Sequence, residues 1–378
     1  MKTIVIVGGG YAGIGTARAL EKQQLKDVRV ILIDKKTHFY HCVAGLRGAI
    51  EDWDNQIFIP YDKLFTSPNN KVIQASVARF DEDHVYLQDP HSQFGTQIAY
   101  DFLVLATGTR YPAPARVNKT TLKEGQAELQ AIRRQLSQAN HVLIVGGGPV
   151  GVEMAGEIVD HYSDKKVTLV HSQPQLGSAS YMPLKVSDRL QSLLKESKVQ
   201  LSLDDSVTLP PVDQLTSVFK PTSPLPPTKK NVNLEDVDLV VLAFGNRPEA
   251  TVVKASYPEL IQSNHCVKVL PTLQVDHPLL SSRVFVIGDV ADLQETKLAF
   301  RTAAHASIAA GNIARLIASP NATLKDYKKS PDLMLVTYGK SKGVAQLPFG
   351  MVGGNWMAKT LKAKTLFVER YWKELNQK

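Results

Sequence analysis

The chain contains few cysteines and no long apolar run, and each shortage excludes a class of protein. Cys42 and Cys266 are the only cysteines among 378 residues, and their separation rules out a C-x-x-C pair. We therefore expect a reducing compartment and no disulfide scaffold. No apolar run reaches the roughly 18 residues that a membrane-spanning helix requires. Motifs such as H-E-x-x-H, Cys/His clusters and EF-hand loops are also absent, so we predict no metal site.

Length and composition predict a soluble globular protein of two or three domains. Apolar residues make up 43% and charged residues 21% of the chain, which are ordinary values for a folded protein. The sequence opens with MKTIVIVGGG, in which a strand starts almost at once, so we expect no signal or transit peptide. The pattern for N-myristoylation is not met either. The expected location is cytoplasmic.

The positive charge of the chain is concentrated near its C-terminus. The net charge is +8 overall, and residues 322–378 carry eleven Lys and Arg residues against four Asp and Glu residues, a local excess of +7. A basic surface of this kind favours an anionic partner, either a membrane face or a nucleic acid. The alternative is a solvated surface that has no partner.

A glycine-rich turn at the start of the chain is the first motif that carries chemistry. The apolar run TIVIV leads into Gly8-x-Gly10-x-x-Gly13, a helical pattern follows, and a second apolar run ends at Asp34, 21 residues after Gly13. In a dinucleotide-binding unit the glycines allow a tight turn, approach of the backbone to the pyrophosphate and close helix–strand packing. An acid at this spacing binds the ribose hydroxyls. The complete pattern predicts a dinucleotide site.

A second copy of this pattern lies near the middle of the chain. The run HVLIV leads into Gly146-x-Gly148-x-x-Gly151 and a helical pattern, and the next apolar run ends at His171, 20 residues after Gly151. Two such units predict two dinucleotides. The alternative for each unit is a glycine-rich strand–helix turn without a ligand.

His171 occupies the position where the second unit would usually carry a carboxylate. A carboxylate there favours NADH, because it would repel the additional phosphate of NADPH. A histidine removes that repulsion and can donate a hydrogen bond or carry a positive charge. No Arg follows directly to bind the phosphate with two hydrogen bonds. We predict that NADH and NADPH are both accepted; the alternative is a surface histidine that contacts no ligand.

The order of the motifs resembles that of the two-dinucleotide-binding FAD/NAD(P) flavoprotein oxidoreductases, which include apoptosis-inducing-factor-like proteins and type II NADH dehydrogenases. The resemblance covers the whole chain through GGGYAGI, ATG, GGGPVGVEMAGE, AFG and VFVIGDVAD. Within that family the chain is similar to the ferroptosis suppressor group. The stretches that carry this closer similarity are HFYHCVAGLRGAIE, VTLVHSQ, KLAFRTAAHASIAAGNI and KTLKAKTLFVERYWKEL.

The resemblance implies an α/β fold with two Rossmann-like dinucleotide-binding domains and a small C-terminal α+β region. FAD is expected in the first unit, and NADH or NADPH in the second. The expected division is residues 1–111 and 270–320 for the FAD-binding domain, 112–269 for the NAD(P)H-binding domain and 321–378 for the C-terminal region. Inside the second domain, the proline-rich segment 209–231 predicts an irregular excursion between strands, because proline removes backbone donors.

The resemblance also implies roles for individual residues. Residues expected to hold FAD are Gly8, Gly10, Gly13, Asp34, Val77, Ala106, Thr107, Gly108, Gly288, Asp289, Lys297, Leu298 and Ala299. Residues expected along the nicotinamide dinucleotide are Gly146, Gly148, Gly151, Glu153, His171 and Gly245. Residues expected at the reacting centre are His41, Lys297 and Phe349, the last at an apolar mouth to the flavin. Further pocket candidates are Arg47 (as a cofactor-binding residue), Phe300 and His305. For His305 the alternative is a core histidine whose ring nitrogens are hydrogen-bonded within the protein.

The end of the chain predicts one basic amphipathic helix. Its apolar stripe would consist of Met357, Leu361, Val368, Tyr371 or Trp372, and Leu375, with Lys359, Lys362 and Lys364 off the stripe. Such a helix can lie on an anionic membrane surface, where a lipid-soluble quinone resides. The alternative is a helix docked on the FAD domain or on a dimer partner. The strands DLMLVTYG and KGVAQLPF are predicted before it.

The combined pattern predicts a FAD-dependent NAD(P)H:quinone oxidoreductase that is peripheral to membranes, as a monomer or a homodimer. The resemblance implies ubiquinone, or a vitamin K-type quinone, reduced to a radical-trapping hydroquinol at a lipid droplet, the plasma membrane or the outer mitochondrial surface. The alternatives are a reductase of a small iron–sulfur or haem carrier and a redox-sensing, DNA-binding protein. Related disulfide reductases carry a cysteine pair beside the flavin. This chain has only Cys42 in that region, which we expect to be a small buried apolar residue.

Overall fold

The computed structural model describes residues 1–211 and 216–378, and the side chain of Phe349 also lies outside the described set. The strands are β1 (Lys2–Val7), β2 (Val28–Asp34), β3 (His38–Tyr40), β4 (Phe58–Pro60), β5 (Lys71–Gln74), β6 (Val77–Phe80), β7 (His84–His91), β8 (Gly95–Ala99), β9 (Phe102–Leu105), β10 (Thr109–Arg110), β11 (His141–Val145), β12 (Lys166–His171), β13 (Gln200–Leu203), β14 (Val218–Phe219), β15 (Leu239–Leu242), β16 (Arg247–Pro248), β17 (Val284–Val286), β18 (Met334–Tyr338), β19 (Lys342–Gln346) and β20 (Val352–Gly353). The α-helices are α1 (Tyr11–Lys22), α2 (Gly45–Gly48), α3 (Asp54–Ile57), α4 (Leu122–Gln138), α5 (Pro149–His161), α6 (Leu184–Glu196), α7 (Thr251–Ser256), α8 (Thr302–Ala318), α9 (Asn355–Ala358) and α10 (Val368–Glu374).

The first sheet consists of five parallel strands in the order β5-β2-β1-β9-β17. Its central strands are almost continuously apolar because both faces are covered. Ile4 and Ile6 of β1 pack on the side of α1 and α8, whereas Val5 and Val7 pack on the side of the β6–β8 layer. Strand β17 joins this sheet although the second domain separates it from β9 in sequence.

The second sheet repeats the arrangement in the order β13-β12-β11-β15-β14, with only β14 antiparallel to its neighbour. The predicted α/β fold with parallel sheets is confirmed. Strand β14 is short and lies within the predicted excursion 209–231. Part of that excursion, residues 212–215, lies outside the described residues. The predicted domain bounds stay predictions.

The C-terminal region contains an antiparallel sheet, β18-β19-β20. Both strands predicted here are confirmed. The sheet packs closely on α5, since a side chain at Gly156 would come within 2.7 Å of the Gly339 nitrogen. The described helices include none that is long and apolar enough to cross a membrane.

The prediction of one continuous C-terminal helix is wrong. Helix α9 passes into a π-helical turn at Lys359–Ala363, and the chain then breaks at Leu366 and Phe367, whose φ angles are +47° and +63°, before α10 starts. The break lets Tyr371 and Leu375 pack in the core of the first domain, while Lys362 of the π-helical turn binds Glu153 of α5. A pattern of apolar intervals does not reveal such a change of direction.

A buried ion pair joins all three regions. Arg47 of α2 binds Glu157 of α5 through two hydrogen bonds, Nη2–Oε1 at 2.7 Å and Nε–Oε2 at 3.0 Å. The same guanidinium donates to the carbonyl oxygens of Ala363 at 2.5 Å and Gly339 at 3.2 Å, both in the C-terminal region. The two charged side chains are 1% and 5% exposed. The pair therefore fixes how the domains meet.

We expect Arg47→Met to lower the free energy of unfolding by about 3–5 kcal/mol, because it leaves a buried carboxylate without its partner. Lys268→Met is the matched control. The Lys268–Asp276 pair is 2.7 Å long, but its side chains are 53% and 36% exposed, and exposed pairs contribute less than about 1 kcal/mol. Chemical denaturation measures both variants. Equal losses would contradict the role assigned to the buried pair.

Candidate functional site

The first glycine-rich turn has the geometry that its sequence requires. Gly8 follows β1 with a φ of +107°, a region that favours glycine. A Cβ on Gly13 would lie 1.8 Å from the Gly8 carbonyl oxygen, so only glycine lets α1 pack this closely. Gly10 caps α1 and has open space where its Cβ would point. The helix therefore presents its free N–H groups to an anion at this turn.

Asp34 lies at the end of β2, beside this turn. Its carboxylate accepts a hydrogen bond from the Gly9 nitrogen at 2.5 Å and another from the Lys36 nitrogen at 2.8 Å. Burial raises the pKa of Asp34 against the opposing effect of these hydrogen bonds. Tyr61 supports the turn from another side, because its hydroxyl donates to the Gly9 carbonyl oxygen at 2.7 Å.

A first cavity of about 440 Å³ extends from this turn. Gly8, Gly10, Asp34, Val77 and Thr107 of the predicted set line it. Lys36, Arg110 and Arg116 line it as well, and they were missed because no motif spacing marks them. The signal that could have found Arg110 and Arg116 is their position shortly after the Ala106-Thr107-Gly108 motif. Arg110 is paired with Glu249 through two hydrogen bonds, so Lys36 and Arg116 are the cations that suit a pyrophosphate here.

A second, central cavity of about 260 Å³ adjoins the first, since Gly10, Thr107, Thr109 and Arg116 line both. The predicted residues that line it are Gly10, Ala106, Thr107, Gly108, Glu153, Gly288, Asp289, Lys297, Leu298 and Ala299. Lys297 Nζ donates to the Ala291 carbonyl oxygen at 2.6 Å. Cys42 also lines the cavity and is half-buried, so it is less enclosed than predicted.

The second domain and the C-terminal region complete the wall of the central cavity. Val150 and Glu153 of α5 and Asn246 reach it from the second domain. Lys362, from the π-helical turn, places Nζ 2.5 Å from Glu153 Oε1. The Glu153 carboxylate also accepts from the nitrogen and the hydroxyl of Thr337, each at 2.9 Å. The sequence pattern placed Lys362 off the apolar stripe of a basic amphipathic helix, so this contact was not predicted.

The second glycine-rich turn repeats the geometry of the first. Gly146 has a φ of +118°, and a Cβ on Gly151 would lie 1.9 Å from the Gly146 carbonyl oxygen. Gly148 caps α5 in the same way as Gly10 caps α1. A third cavity of about 620 Å³ opens here, lined by Gly146, Gly148, His171, Ser172 and Asp205 among others.

His171 lines this third cavity, and one hydrogen bond defines which of its ring nitrogens carries the hydrogen. Its Nε2 lies 3.2 Å from the Gly177 carbonyl oxygen, and a carbonyl can only accept, so Nε2 carries the hydrogen. Nδ1 of the neutral ring is then an acceptor. Gly245, with a φ of +92°, connects Phe244, which lines this cavity, to Asn246, which lines the central one.

His41 and Arg47 are placed differently from the prediction that they contact substrate or cofactor. His41 is fully buried, and its two ring nitrogens are bonded to the Tyr11 hydroxyl and the Leu366 carbonyl oxygen. Burial lowers the pKa of His41 to about 4. Arg47 is held by Glu157 between the domains, so its charge is already neutralised. Neither residue lines a described cavity.

His305 and Phe300 also lie away from the described cavity walls. His305 is 3% exposed, with Nε2 bonded to Glu295 at 2.9 Å and Nδ1 accepting from the Gly288 nitrogen at 3.3 Å. His305 is therefore a core histidine with both ring nitrogens hydrogen-bonded, which was the alternative to a pocket residue. Phe300 is 45% exposed. The prediction for Phe349 concerns a side chain outside the described set.

Substitutions of Gly10 and Gly13 should have different effects, one on FAD affinity and the other on stability. We expect Gly10→Ala to preserve the melting temperature of the apoprotein and to raise the Kd for FAD by about tenfold or more, because its methyl group would obstruct the pyrophosphate. Gly13→Ala should lower the melting temperature itself, because of the clash with Gly8. Calorimetry and flavin titration measure the two effects, and identical behaviour of the variants would contradict this assignment.

Comparison with known proteins places this geometry in a family. A family model described as pyridine nucleotide-disulphide oxidoreductase matches residues 2–310. The chain is 32% identical to human ferroptosis suppressor protein 1 over 383 residues, covering 99% of this chain and 96% of the relative. It is 30% identical to apoptosis-inducing factor homolog B of Dictyostelium discoideum, covering 99% and 97%.

A solved structure agrees with this fold. The sulfide:quinone oxidoreductase of Aquifex aeolicus matches with a TM-score of 0.72 at 18% identity, covering 100% of this chain and 92% of that one. The resemblance inferred from the motifs is confirmed. The chain therefore belongs to the pyridine nucleotide-disulphide oxidoreductase family and is a FAD-dependent NAD(P)H oxidoreductase.

Proposed function

We propose that this chain passes reducing equivalents from NADH or NADPH, through FAD, to a quinone at a membrane surface. The observation that carries the proposal is the central cavity, whose wall combines the first turn, the N-terminal part of α5 and the C-terminal region. The name of one similar protein, the sulfide:quinone oxidoreductase of Aquifex aeolicus, supports the quinone part.

The residues present fit FAD in the first and central cavities. Gly8, Gly10 and the N-terminus of α1 would bind the pyrophosphate, with Arg116 as a cation between the two cavities. Asp34 would bind the adenosine ribose, and Asp289 the ribityl hydroxyls. FAD, when bound, accepts a hydride from the nicotinamide and releases electrons to a second substrate. The chain itself supplies binding, orientation and exclusion of water.

The remaining residues of the central cavity suit quinone reduction. Reducing a quinone to a hydroquinol consumes two protons as well as two electrons. Lys362 Nζ bears a proton at the cavity wall and shares it in a hydrogen bond with Glu153. Lys297 is a second cation of this wall. We therefore assign proton supply and stabilisation of negative charge on the quinone to these lysines.

Exposed apolar residues next to Lys362 support a membrane surface as the source of the quinone. Met351, Trp356 and Leu361 are 56%, 77% and 56% exposed, and the exposed Lys359 and Lys364 flank them. Apolar and basic side chains together bind anionic lipid surfaces. The same segment places Lys362 in the central cavity, so a docked membrane would lie beside that cavity. The remainder of the C-terminus is docked on the protein.

This arrangement predicts that a variant can lose membrane binding and still oxidise NADH with a water-soluble quinone. Trp356→Ser combined with Leu361→Ser should lower affinity for vesicles containing phosphatidylserine by about tenfold or more, because two large apolar side chains no longer enter the lipid. Turnover with a long-chain quinone dissolved in the vesicles should fall together with the vesicle affinity. Turnover with a water-soluble, short-chain ubiquinone should remain.

Leu279→Ser is the matched control for this prediction, because Leu279 is 65% exposed but lies outside the C-terminal region. It should leave vesicle affinity unchanged. NADH oxidation that requires a ferredoxin and is not supported by either quinone would contradict the quinone proposal and favour a carrier reductase. Equal vesicle affinity of the double variant and wild type would contradict the membrane surface.

His171 predicts the response to NADPH. In His171→Asp we expect reduction of the flavin by NADPH to slow by about tenfold or more relative to NADH, because the new carboxylate repels the 2′-phosphate. His171→Asn introduces no charge and should keep the wild-type ratio. Anaerobic reduction followed by the visible absorption of the flavin measures both rates. An unchanged ratio in His171→Asp would show that His171 does not meet the nucleotide.

A further inference from the structure

The last residues of the chain are fastened to the first domain by donated hydrogen bonds. We call residues 366–377 the C-terminal segment. Trp372, Asn376 and Gln377 donate hydrogen bonds of 2.5 to 3.2 Å to the stretch between residues 56 and 64. The acceptors are the carbonyl oxygens of Gln56, Pro60, Lys63 and Leu64 and the carboxylate of Asp62. The segment therefore restrains this stretch from outside.

The restrained stretch contains a direct contact with the first glycine-rich turn. Tyr61 is 4% exposed, and its hydroxyl donates to the Gly9 carbonyl oxygen at 2.7 Å. A Cβ on Gly9 would lie 2.4 Å from that hydroxyl, so the phenol and the turn are in tight contact. Movement of residues 60–64 would therefore change the support of the turn.

The C-terminal segment also contacts the residue that follows Gly10, through an aromatic cluster. The ring of Tyr371 lies 5.0 Å from the ring of Tyr11 and 4.8 Å from that of His41, measured between centroids. Tyr11 follows Gly10 directly, begins α1 and lines the central cavity. The segment thus contacts Tyr11 directly, and it restrains the stretch whose Tyr61 binds Gly9 of the turn that would hold the pyrophosphate.

His41 is the hydrogen-bonded link between the segment and α1. Its Nε2 lies 2.6 Å from the Leu366 carbonyl oxygen, which can only accept, so Nε2 donates. Its Nδ1 then accepts from the Tyr11 hydroxyl at 2.9 Å. Burial favours the neutral ring and lowers the pKa of His41 to about 4. One tautomer therefore satisfies both contacts, and the Leu366 carbonyl at the break in the chain is satisfied by this ring.

We propose that the C-terminal segment is part of the FAD site, with His41 and Tyr371 as positioning residues that hold the Gly8–Gly13 turn ready for the pyrophosphate. The turn includes the left-handed Gly8, so its bound conformation has to be selected from others. Bracing through these two contacts, at Gly9 and at Tyr11, lowers the ordering cost of binding, and affinity rises accordingly. The inference concerns FAD affinity and does not depend on the quinone.

Paired variants test the proposal in the full chain. Tyr371→Ser removes the ring and should raise the Kd of the apoprotein for FAD by about tenfold or more. Tyr371→Phe keeps the ring contacts and should leave the Kd unchanged. His41→Asn keeps an acceptor for Tyr11 but loses the donor to Leu366, and His41→Gln does the reverse. Both should weaken FAD binding, because the brace needs both links.

Two readouts separate bracing from general stability. The Kd for FAD comes from quenching of flavin fluorescence, and the affinity of the second turn for NADH, measured on the same apoprotein, should remain within about twofold of wild type. If Tyr371→Ser lowers the melting temperature but leaves the Kd for FAD unchanged, the segment has only a structural role and the proposal is overturned.

A reciprocal measurement on the wild-type protein keeps the proposal testable if the variants do not fold. Coupling between two sites is mutual. If docking of the C-terminal segment strengthens FAD binding, FAD binding must therefore stabilise the docked segment by the same free energy. The rate at which trypsin cleaves after Arg370 and Lys373 should therefore be lower by about tenfold or more in the FAD-loaded protein than in the apoprotein. Equal cleavage rates would overturn the proposal.

Discussion

The ion pair between Arg47 and Glu157 is the interaction on which the shared central cavity depends. It joins the first domain to the second, and Arg47 also donates to two carbonyl oxygens of the C-terminal region. Removing two charges from water is costly, and the bidentate geometry with additional acceptors compensates for that cost. Because the three regions are fixed to one another here, Glu153 and Lys362 can face the same cavity as Gly10.

In the two proposals, the two ends of the C-terminal region have separate tasks. Residues around Trp356 and Leu361 are exposed beside the cavity wall, which suits delivery of an apolar substrate. The last helix is turned inward and reinforces the turn beneath the FAD site. A single amphipathic helix lying on a membrane could not serve both purposes. The left-handed pair at Leu366 and Phe367 is what allows them to be combined.

The sequence predicted the parts of the site that depend on local geometry. Gly8 and Gly146 have to adopt positive φ angles, and Gly13 and Gly151 leave no room for a Cβ. Such requirements leave a fixed spacing in the sequence, and the parallel sheets follow from the apolar strands beside them. Residues with partners far away in sequence were not predictable in this way. His41 meets Leu366 across 325 positions, and Arg47 meets Ala363 across 316. The resemblance assigned both residues to the ligand, and nothing in the local sequence pointed to these distant partners.

The proposal that the protein passes electrons from NADH through FAD to a quinone is best tested by anaerobic double mixing of the purified, FAD-loaded protein. The protein is mixed first with NADH and then with a short-chain ubiquinone, while the visible absorption of the flavin is followed. We expect loss of the absorption with NADH and its rapid return with the quinone. Loss without return would contradict quinone reduction, and no loss at all would contradict transfer between the two dinucleotide sites.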